Sequence, residues 1–595
     1  MFTKITCGLF LFTLCLPLSN SLCQEPVSLE PIVITRSHLS QATYLLDTEN
    51  LASSPSSSFM EALRYSPLEL QRRGARGAQA DFSLRGSSFE GVLILLNGRR
   101  INDPQTGHFN YDIPFTREDI RQMKVSSGSR SPLSGPNAVG GALEMSIKTP
   151  DTSQAVFESS IGLNQAYANL LSITRAGENA GMRFSAESKD SGGWRDDTDM
   201  RSVTNSCAAF IESQNARLSL NAGYQEKEFG AYDFYTPGRG FASREWTKTF
   251  LVQSEAAYQA GNASVNQYFS WRRHLDKFML DKTGQRSLYL NHHCTDVYTP
   301  GIEFKVSGGI PDALTAGAEF TEERIRSTNL GNHGRSRESF SLGAEHLFND
   351  ALFLEGGASI DDCTEPGGSL TYKLNASLQA SRNLSLRAGV SSHTRIPSFT
   401  ELYYSDPTTV SNPELSAESS RDYEAGFDYK TQRHSCAITL FVRRENDFID
   451  WIKRSGSQAA WKAENITQAR TAGIEASVRS AIGGNAEIEG MYSYADRQVE
   501  DEGYLYKYGI NYARHRFASI LYVRALGGVQ AIGFTYTKKP ARDAWCLMNA
   551  RFEYPLNGHT LIFLTLDNLF NSEYQEIEGI PQPKRSAECG LRLRW

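Results

Sequence analysis

After its first 23 residues, the 595-residue sequence contains no run of about 18 apolar residues, the length a helix needs to cross a bilayer. If the chain enters a membrane, only a closed β-barrel satisfies its backbone there. Charge of one sign is missing as well. The 61 basic and 67 acidic residues leave a net −6, which provides no concentrated basic surface for nucleic acid. Cysteine is scarce and unpatterned: three of the nine lie in the first 23 residues. Cys207, Cys294 and Cys363 lack paired spacing, so neither a disulfide framework nor a metal site is expected of them. Cys436, Cys546 and Cys589 fall on the apolar side of alternating segments, where they act as small hydrophobes. His292, His293 and Cys294 are adjacent, and neighbours on a strand point to opposite faces, so they cannot share one ion. No nucleophile–base pair appears, and GPNAVGG at 135–141 lacks the Lys-Ser/Thr of a phosphate-binding loop. An enzyme is not expected.

What the sequence has in quantity is glycine, 48 residues, and aromatics at 11%, which suit many short strands, tight turns and aromatic girdles. Residues 1–23 read as a signal peptide: Lys4 precedes a largely apolar Ile5–Leu18, with small residues permitting cleavage around Ser21–Cys23. Cys23 raises a lipoprotein reading, but Leu22 before it is a poor match to the small residue required. From about Pro150 onward the texture is alternation. Ala216, Leu218, Leu220 and Ala222 alternate with polar or small residues, as do Leu384–Val390 and Ala544–Tyr554, so each reads as a strand with one apolar face. A soluble sandwich would alternate too. The C-terminus favours a membrane barrel: Ala587, Cys589, Leu591, Leu593 and Trp595 face one way, and Glu588, Arg592 and Arg594 the other. A lipid wall and a water-filled lumen accommodate both faces.

The chain is organised around a stretch from about Asp81 to Lys148. Two apolar runs there, Val92–Leu96 and Ala142–Ile147, are bounded by Asn-Gly and Gly-Gly turns and read as strands of a small mixed domain. A serine of the 53–58 turn is placed to cap a short helix over Phe59–Tyr65. LRG at 84–86, LLNGRRINDPQTGHFN at 95–110, DIRQMKV at 119–125 and SGPNAVGGALEMSIKT at 134–149 resemble the plug domain of TonB-dependent outer-membrane receptors. NDPQTGH is most similar to the cobalamin (vitamin B12) branch. The resemblance implies a 22-stranded antiparallel transmembrane β-barrel occluded by an N-terminal α+β plug. It divides the chain into a signal peptide (1–23), a TonB box and linker (24–40), a plug (41–150) and a barrel (151–595). The strand number comes from the family; alternation alone does not separate 20 from 22.

The resemblance also assigns residues. Glu30, Pro31, Ile32, Val33, Ile34 and Thr35 resemble the TonB box, and a free β-prone pentad is suited to adding a strand to a partner. Arg85 and Arg121 of the plug are expected to pair with Glu424 (in ESSRDYEAG) and Glu475 (in TAGIEAS), which match barrel glutamates that lock the plug. Ligand contacts are expected from Gln79, Asp103, Gln105, Thr106, His108, Phe109 and Asn110 on plug loops, and from Tyr232, Phe234 and Tyr235 in FGAYDFYTPG. An Asn-Asp-Pro turn would account for Asp103 without a ligand. Asp196, Asp197 and Asp199, with Glu226, Glu228 and Asp233 nearby, are candidates for calcium, which orders loops in some cobalamin receptors, although no cofactor is required. TRIPSFTELYY (394–404) and SNPEL (411–415) look like segments flanking the haem-ligand histidine of haem receptors, but no histidine lies between Arg395 and Pro413, and haem iron needs an axial ligand. The expected function is high-affinity, TonB-coupled import of a corrinoid by a monomer in outer-membrane lipid, powered through TonB and its inner-membrane complex. A ferric-siderophore receptor is the alternative within the family, and a passive porin or adhesin barrel the alternative outside it.

Overall fold

The computed structural model describes residues 44–595 apart from 57, 131–134, 284–287, 458, 500–502 and 526. The signal segment 1–23 and the Glu30–Thr35 segment lie outside the described residues.

From Gln154 to Arg594 the chain forms a closed antiparallel barrel of 22 strands, the last (Ser586–Arg594) pairing with the first (Gln154–Gly162). The alternation seen in the sequence is its two faces. Leu218 and Leu220 are 55% and 44% exposed on the outside, while inward positions carry serine, threonine and charged side chains buried against the plug. Connections at one end are tight, such as 261–262 between Ala260 and Ala263 or 431–433 between Lys430 and His434. At the other end they are long, such as 396–417 and 568–585. Strands at that end outgrow any bilayer. His434–Arg454 has 21 residues and Trp461–Ile482 has 22, where about 9–11 suffice to cross.

Inside the barrel sits the plug. Its five-stranded mixed sheet runs in the order Tyr44–Asp47, Ile120–Ser126, Gly141–Ile147, Val92–Leu96, Arg99–Arg100, with the Gly141 and Val92 strands parallel. Ser58 caps the helix Phe59–Ala62 by accepting a bond from the Glu61 N–H at 3.2 Å, and a 3-10 turn, Leu63–Tyr65, continues it. The plug has its own closed apolar core, including Phe59, Leu63, Phe82, Ile94, Met123 and Leu143; of that cluster's buried residues only Leu251 belongs to the barrel. Smaller apolar clusters join plug to wall at Tyr65 and at Ala75 and Ala78, and the rest of the contact is largely polar.

Candidate functional site

Ion pairs join plug to barrel around much of the circumference. Arg64 meets Glu576 (2.7 Å), Arg100 meets Glu323 (2.8 Å), Arg117 meets Glu158 (2.6 Å) and Glu118 meets Arg592 (2.7 Å). Asp119 accepts from Arg183 (2.9 Å), Ser185 and Ser206. Asp112 pairs with Lys227, and Arg76 with Asp567.

A deeply enclosed contact centres on the turn Leu84–Ser87, closed by the Ser87 N–H donating to the Leu84 carbonyl at 3.1 Å. Arg85 donates to Glu424 at 3.0 Å and to Glu475 at 2.6 Å, with its side chain 1% exposed. Its guanidinium lies 4.1 Å from the Phe441 ring centroid. Ser129 and Ser127 donate hydroxyl bonds to Glu424 and Glu475. The barrel reciprocates: Arg443 donates to the carbonyls of Arg85 (2.7 Å) and Val139 (2.8 Å), and Arg497 to that of Gly86 (3.2 Å). Gly128 makes room for the cluster. A Cβ there would lie 2.6 Å from both Arg85 Nη1 and Glu424 Oε2, at a φ of +57°.

Arg121 does not join this cluster, which corrects the sequence expectation. It alternates with buried Ile120 and Met123 on its strand and points away, exposed, while its carbonyl accepts from Thr48. Arg443 and Arg497, which the sequence reading missed, join the cluster from the barrel side, where they also pair with Asp422 and Glu445. They sit in barrel strands next to other charged residues, and nothing local marks which of them face inward.

At the loop end, the segment 103–111 lies under a lid. The helix Phe399–Tyr403, with a Ser398–Glu401 capping box, donates its free N–H groups to the plug: Phe399 to the Pro104 carbonyl (2.9 Å) and Thr400 to that of Gln105 (3.0 Å). Arg395, fully buried, holds Glu401 and Glu418 at 2.9 Å each and so fixes the helix.

Several expected ligand contacts are consequently internal. Asp103 pairs with Arg272 and accepts the Gln105 N–H, and Asn110 accepts the Asp103 N–H. Phe109 packs 4.4 Å from His274. Phe234 is buried against Gly74, where a Cβ would approach the ring to 2.5 Å at a φ of +87°. Thr106 donates to Glu90, whose carboxylate also accepts the Gly107 N–H. Burial, reinforced by Glu401, pushes the Glu90 carboxyl above its ordinary range; a cavity of about 30 Å³ separates this region from Asp450.

The remaining residues meet in an aromatic cluster between plug and loops. His108 stacks on Phe89 at 4.2 Å, Tyr508 stands edge-on to Phe89 at 5.0 Å, and Tyr235 lies 5.9 Å from His108 and 5.2 Å from Phe278. Gln79 donates to the Tyr235 hydroxyl (2.9 Å). Phe89, Tyr235 and Tyr508 are half-buried. Asp81 orients His108 at 2.6 Å; burial pushes the imidazole down, while His108 and Arg73 overcome burial to hold Asp81 at about 2. Tyr232 stands apart under the Arg195 guanidinium, 4.8 Å away. Sequence reading missed Phe89 and Tyr508, which lie in different domains and meet only through the fold.

The acidic loop does not fit a hard cation, which needs several free carboxylate oxygens. Asp197 pairs with Lys282, Asp199 takes Arg244 through two bonds (2.9 and 3.2 Å), and Asp233 accepts the N–H groups of Gly238, Gly240 and Phe241. Among the described residues, no group of three or more acidic, histidine or cysteine side chains is arranged to hold a metal. Asp196, the third residue of the expected set, is exposed.

Comparison with known proteins agrees with this architecture. Residues 153–569 match the family model "TonB dependent receptor-like, beta-barrel", and residues 35–142 match "TonB-dependent Receptor Plug Domain". Vitamin B12 transporters named BtuB from Photobacterium profundum and Vibrio vulnificus are each 23% identical, over 98% and 85% of this chain and 98% and 84% of theirs. Among solved structures, the FrpB iron transporter of Neisseria meningitidis superposes with a TM-score of 0.78 at 13% identity, covering 93% of this chain and 100% of that one. The siderophore receptor PirA of Pseudomonas aeruginosa gives 0.75 at 14%, covering 93% and 99%; identities this low speak for the fold alone. The chain belongs to the TonB-dependent receptor family: it is an outer-membrane transport receptor, not an enzyme, that takes a small-molecule ligand and works with TonB.

Proposed function

We propose that this receptor captures a corrinoid of the cobalamin class and imports it by TonB coupling. The carrying observation is its end-to-end likeness to transporters named for vitamin B12, which spans 98% of both chains in one case. The half-buried rings of Phe89, Tyr235 and Tyr508 beside His108 support it, because a large neutral macrocycle rich in amides calls for broad apolar contact with a few polar anchors. In this reading, ligand settles on the aromatic cluster and the lid, the Glu30–Thr35 segment is released to TonB as an added strand, and force on it unseats the plug. One chain supplies the barrel, the plug and the coupling segment, so a monomer suffices.

Titration calorimetry of the purified receptor with cyanocobalamin, a ferric catecholate and haem tests the ligand. Saturable binding of cyanocobalamin alone is expected, and tight binding of the ferric chelate instead would transfer the receptor to siderophore uptake. In cells, deleting Ile32–Thr35 should abolish uptake and leave binding intact. Uptake that survives the deletion would overturn the coupling mechanism.

A further inference from the structure

Three arginines stand side by side on the outer wall of the barrel. Arg421 pairs with Arg444 across one strand boundary, and Arg444 with Arg470 across the next. All three are exposed, while their chain neighbours Asp422, Arg443, Glu445 and Thr471 are buried on the inner face. The row below is apolar (Tyr423, Val442, Ala472) and the row above uncharged (Ser419, Asn446, Gln468). Tyr423 is 47% exposed and Leu440, one row further down, 58%, as expected of a lipid-facing surface. Arg421 precedes the tight-turn end of its strand, Lys430, by nine residues, and about 9–11 residues cross the bilayer. The row therefore lies where the apolar band meets the headgroups of the outer leaflet.

Among the described residues none of the three guanidinium groups has a hydrogen-bond or ion-pair partner. Asp496, on the next strand beside Ala472, is engaged by Arg514 and Gln498. The opposite practice holds on another part of the wall, where the outward-facing Arg273 is answered by Asp296 at 2.7 Å and Arg324 by Glu322. Like charges directly opposite on neighbouring strands repel, and strands about 4.8 Å apart keep these three close together. An anion shared along such a row would offset that repulsion, and guanidinium groups match phosphate oxygens in paired bonds.

We propose that Arg421, Arg444 and Arg470 form a binding site for the phosphate groups of an anionic outer-leaflet lipid, its acyl chains lying on the apolar face below. The site is independent of the transported ligand and anchors the wall to which Glu424 and Glu475 belong, since these glutamates sit on two of the same three strands.

The test uses the full receptor in mild detergent, titrated with diphosphoryl lipid A and read by native mass spectrometry. The variant Arg421→Gln/Arg444→Gln/Arg470→Gln should bind about a hundredfold more weakly, given the contribution of each basic residue at an anionic surface. Arg444→Gln alone should show the largest single loss, which keeps the test decisive if the triple variant folds poorly. Fully dephosphorylated lipid A should bind the native receptor no better than diphosphoryl lipid A binds the triple variant. Equal affinity of native and variant receptors, equal affinity for the dephosphorylated lipid, or displacement of the lipid by equimolar inorganic phosphate would each overturn the assignment, the last by making the row a free-anion site. Arg324→Gln/Glu322→Gln, which removes a paired set, should leave lipid binding unchanged; a loss equal to that of the triple variant would also overturn it.

Discussion

Replacing Arg85 by alanine removes a cation that bridges two buried carboxylates. In the intact receptor Arg85 sits 3.0 Å from Glu424 and 2.6 Å from Glu475. After the substitution Glu475 still accepts from Ser127 and Glu424 from Ser129, neutral hydroxyls where a guanidinium stood. Breaking a buried pair from one side costs about 3–5 kcal/mol, because the charge left behind is neither solvated nor paired. Removing all three charges while keeping their shape, with Arg85→Met/Glu424→Gln/Glu475→Gln, should cost far less, since isosteric replacement of a buried ionic cluster is often near neutral. The methionine would still cover Phe441, the ring now under the guanidinium.

Plug release can be followed as conductance through single receptors in a planar bilayer while urea is raised on the periplasmic side. With a urea dependence of about 2 kcal/mol per molar for a small domain, the alanine variant should open at about 2 M less urea. The triple variant should open near the native midpoint. An unchanged midpoint for the alanine variant would sink the lock, and a triple variant as weak as the alanine one would show that lost packing, not stranded charge, is responsible. Gly128→Ala should shift the midpoint the same way with every charge in place, because its methyl would enter the space between Arg85 and Glu424.

Glu90 gives the seated plug a pH dependence. Burial and Glu401 raise its pKa in the folded state, so the seated plug binds a proton that the unfolded chain, near the ordinary value of about 4.3, does not. This contribution is fully present below that value and is lost as pH rises through the folded one. The urea midpoint should therefore fall between about pH 5 and pH 8, and Glu90→Gln, which can still accept the Gly107 N–H, should flatten the curve; an equally steep curve in the variant would count against it. Chelation is the third case. With Asp197 and Asp199 neutralised by Lys282 and Arg244, EDTA should change neither ligand affinity nor proteolysis of the loop, and a tenfold loss of affinity restored by calcium would reverse that conclusion.

The barrel was legible in the sequence because its physics is local: period-two alternation reports a strand between lipid and water wherever it occurs, as at Leu218 and Leu220. The plug strand Val92–Leu96 was legible for a similar reason, since turns bound a short apolar run. Roles that depend on docking were less accessible. Arg85 and Arg121 look alike in sequence, each beside apolar neighbours, and only the seating of the plug sends one into the wall and the other into the open. Asp103 looked like a ligand group because its partner, Arg272, is a lumen residue far along the chain. The acidic loop looked like a cation site because Lys282 and Arg244 come from other parts of the chain. In each case the residue types were read correctly and their neighbours could not be.

The plug's main apolar core takes in one wall residue, and beyond smaller apolar contacts at Tyr65, Ala75 and Ala78 the plug meets the wall largely through charge. Stability does not demand this, because well-packed apolar side chains in place of buried ion pairs often hold as well or better. The difference appears on separation. An apolar interface pulled apart exposes surface at about 25 cal/mol per Å², whereas separated guanidinium and carboxylate groups regain hydration as they part. A seat built from Arg85, Arg100, Arg117 and Asp119 against barrel charges is thus specific in register and resists opening while dry. Once water enters, much of that resistance is returned as hydration. A receptor that must open under a limited pull and close again requires that combination.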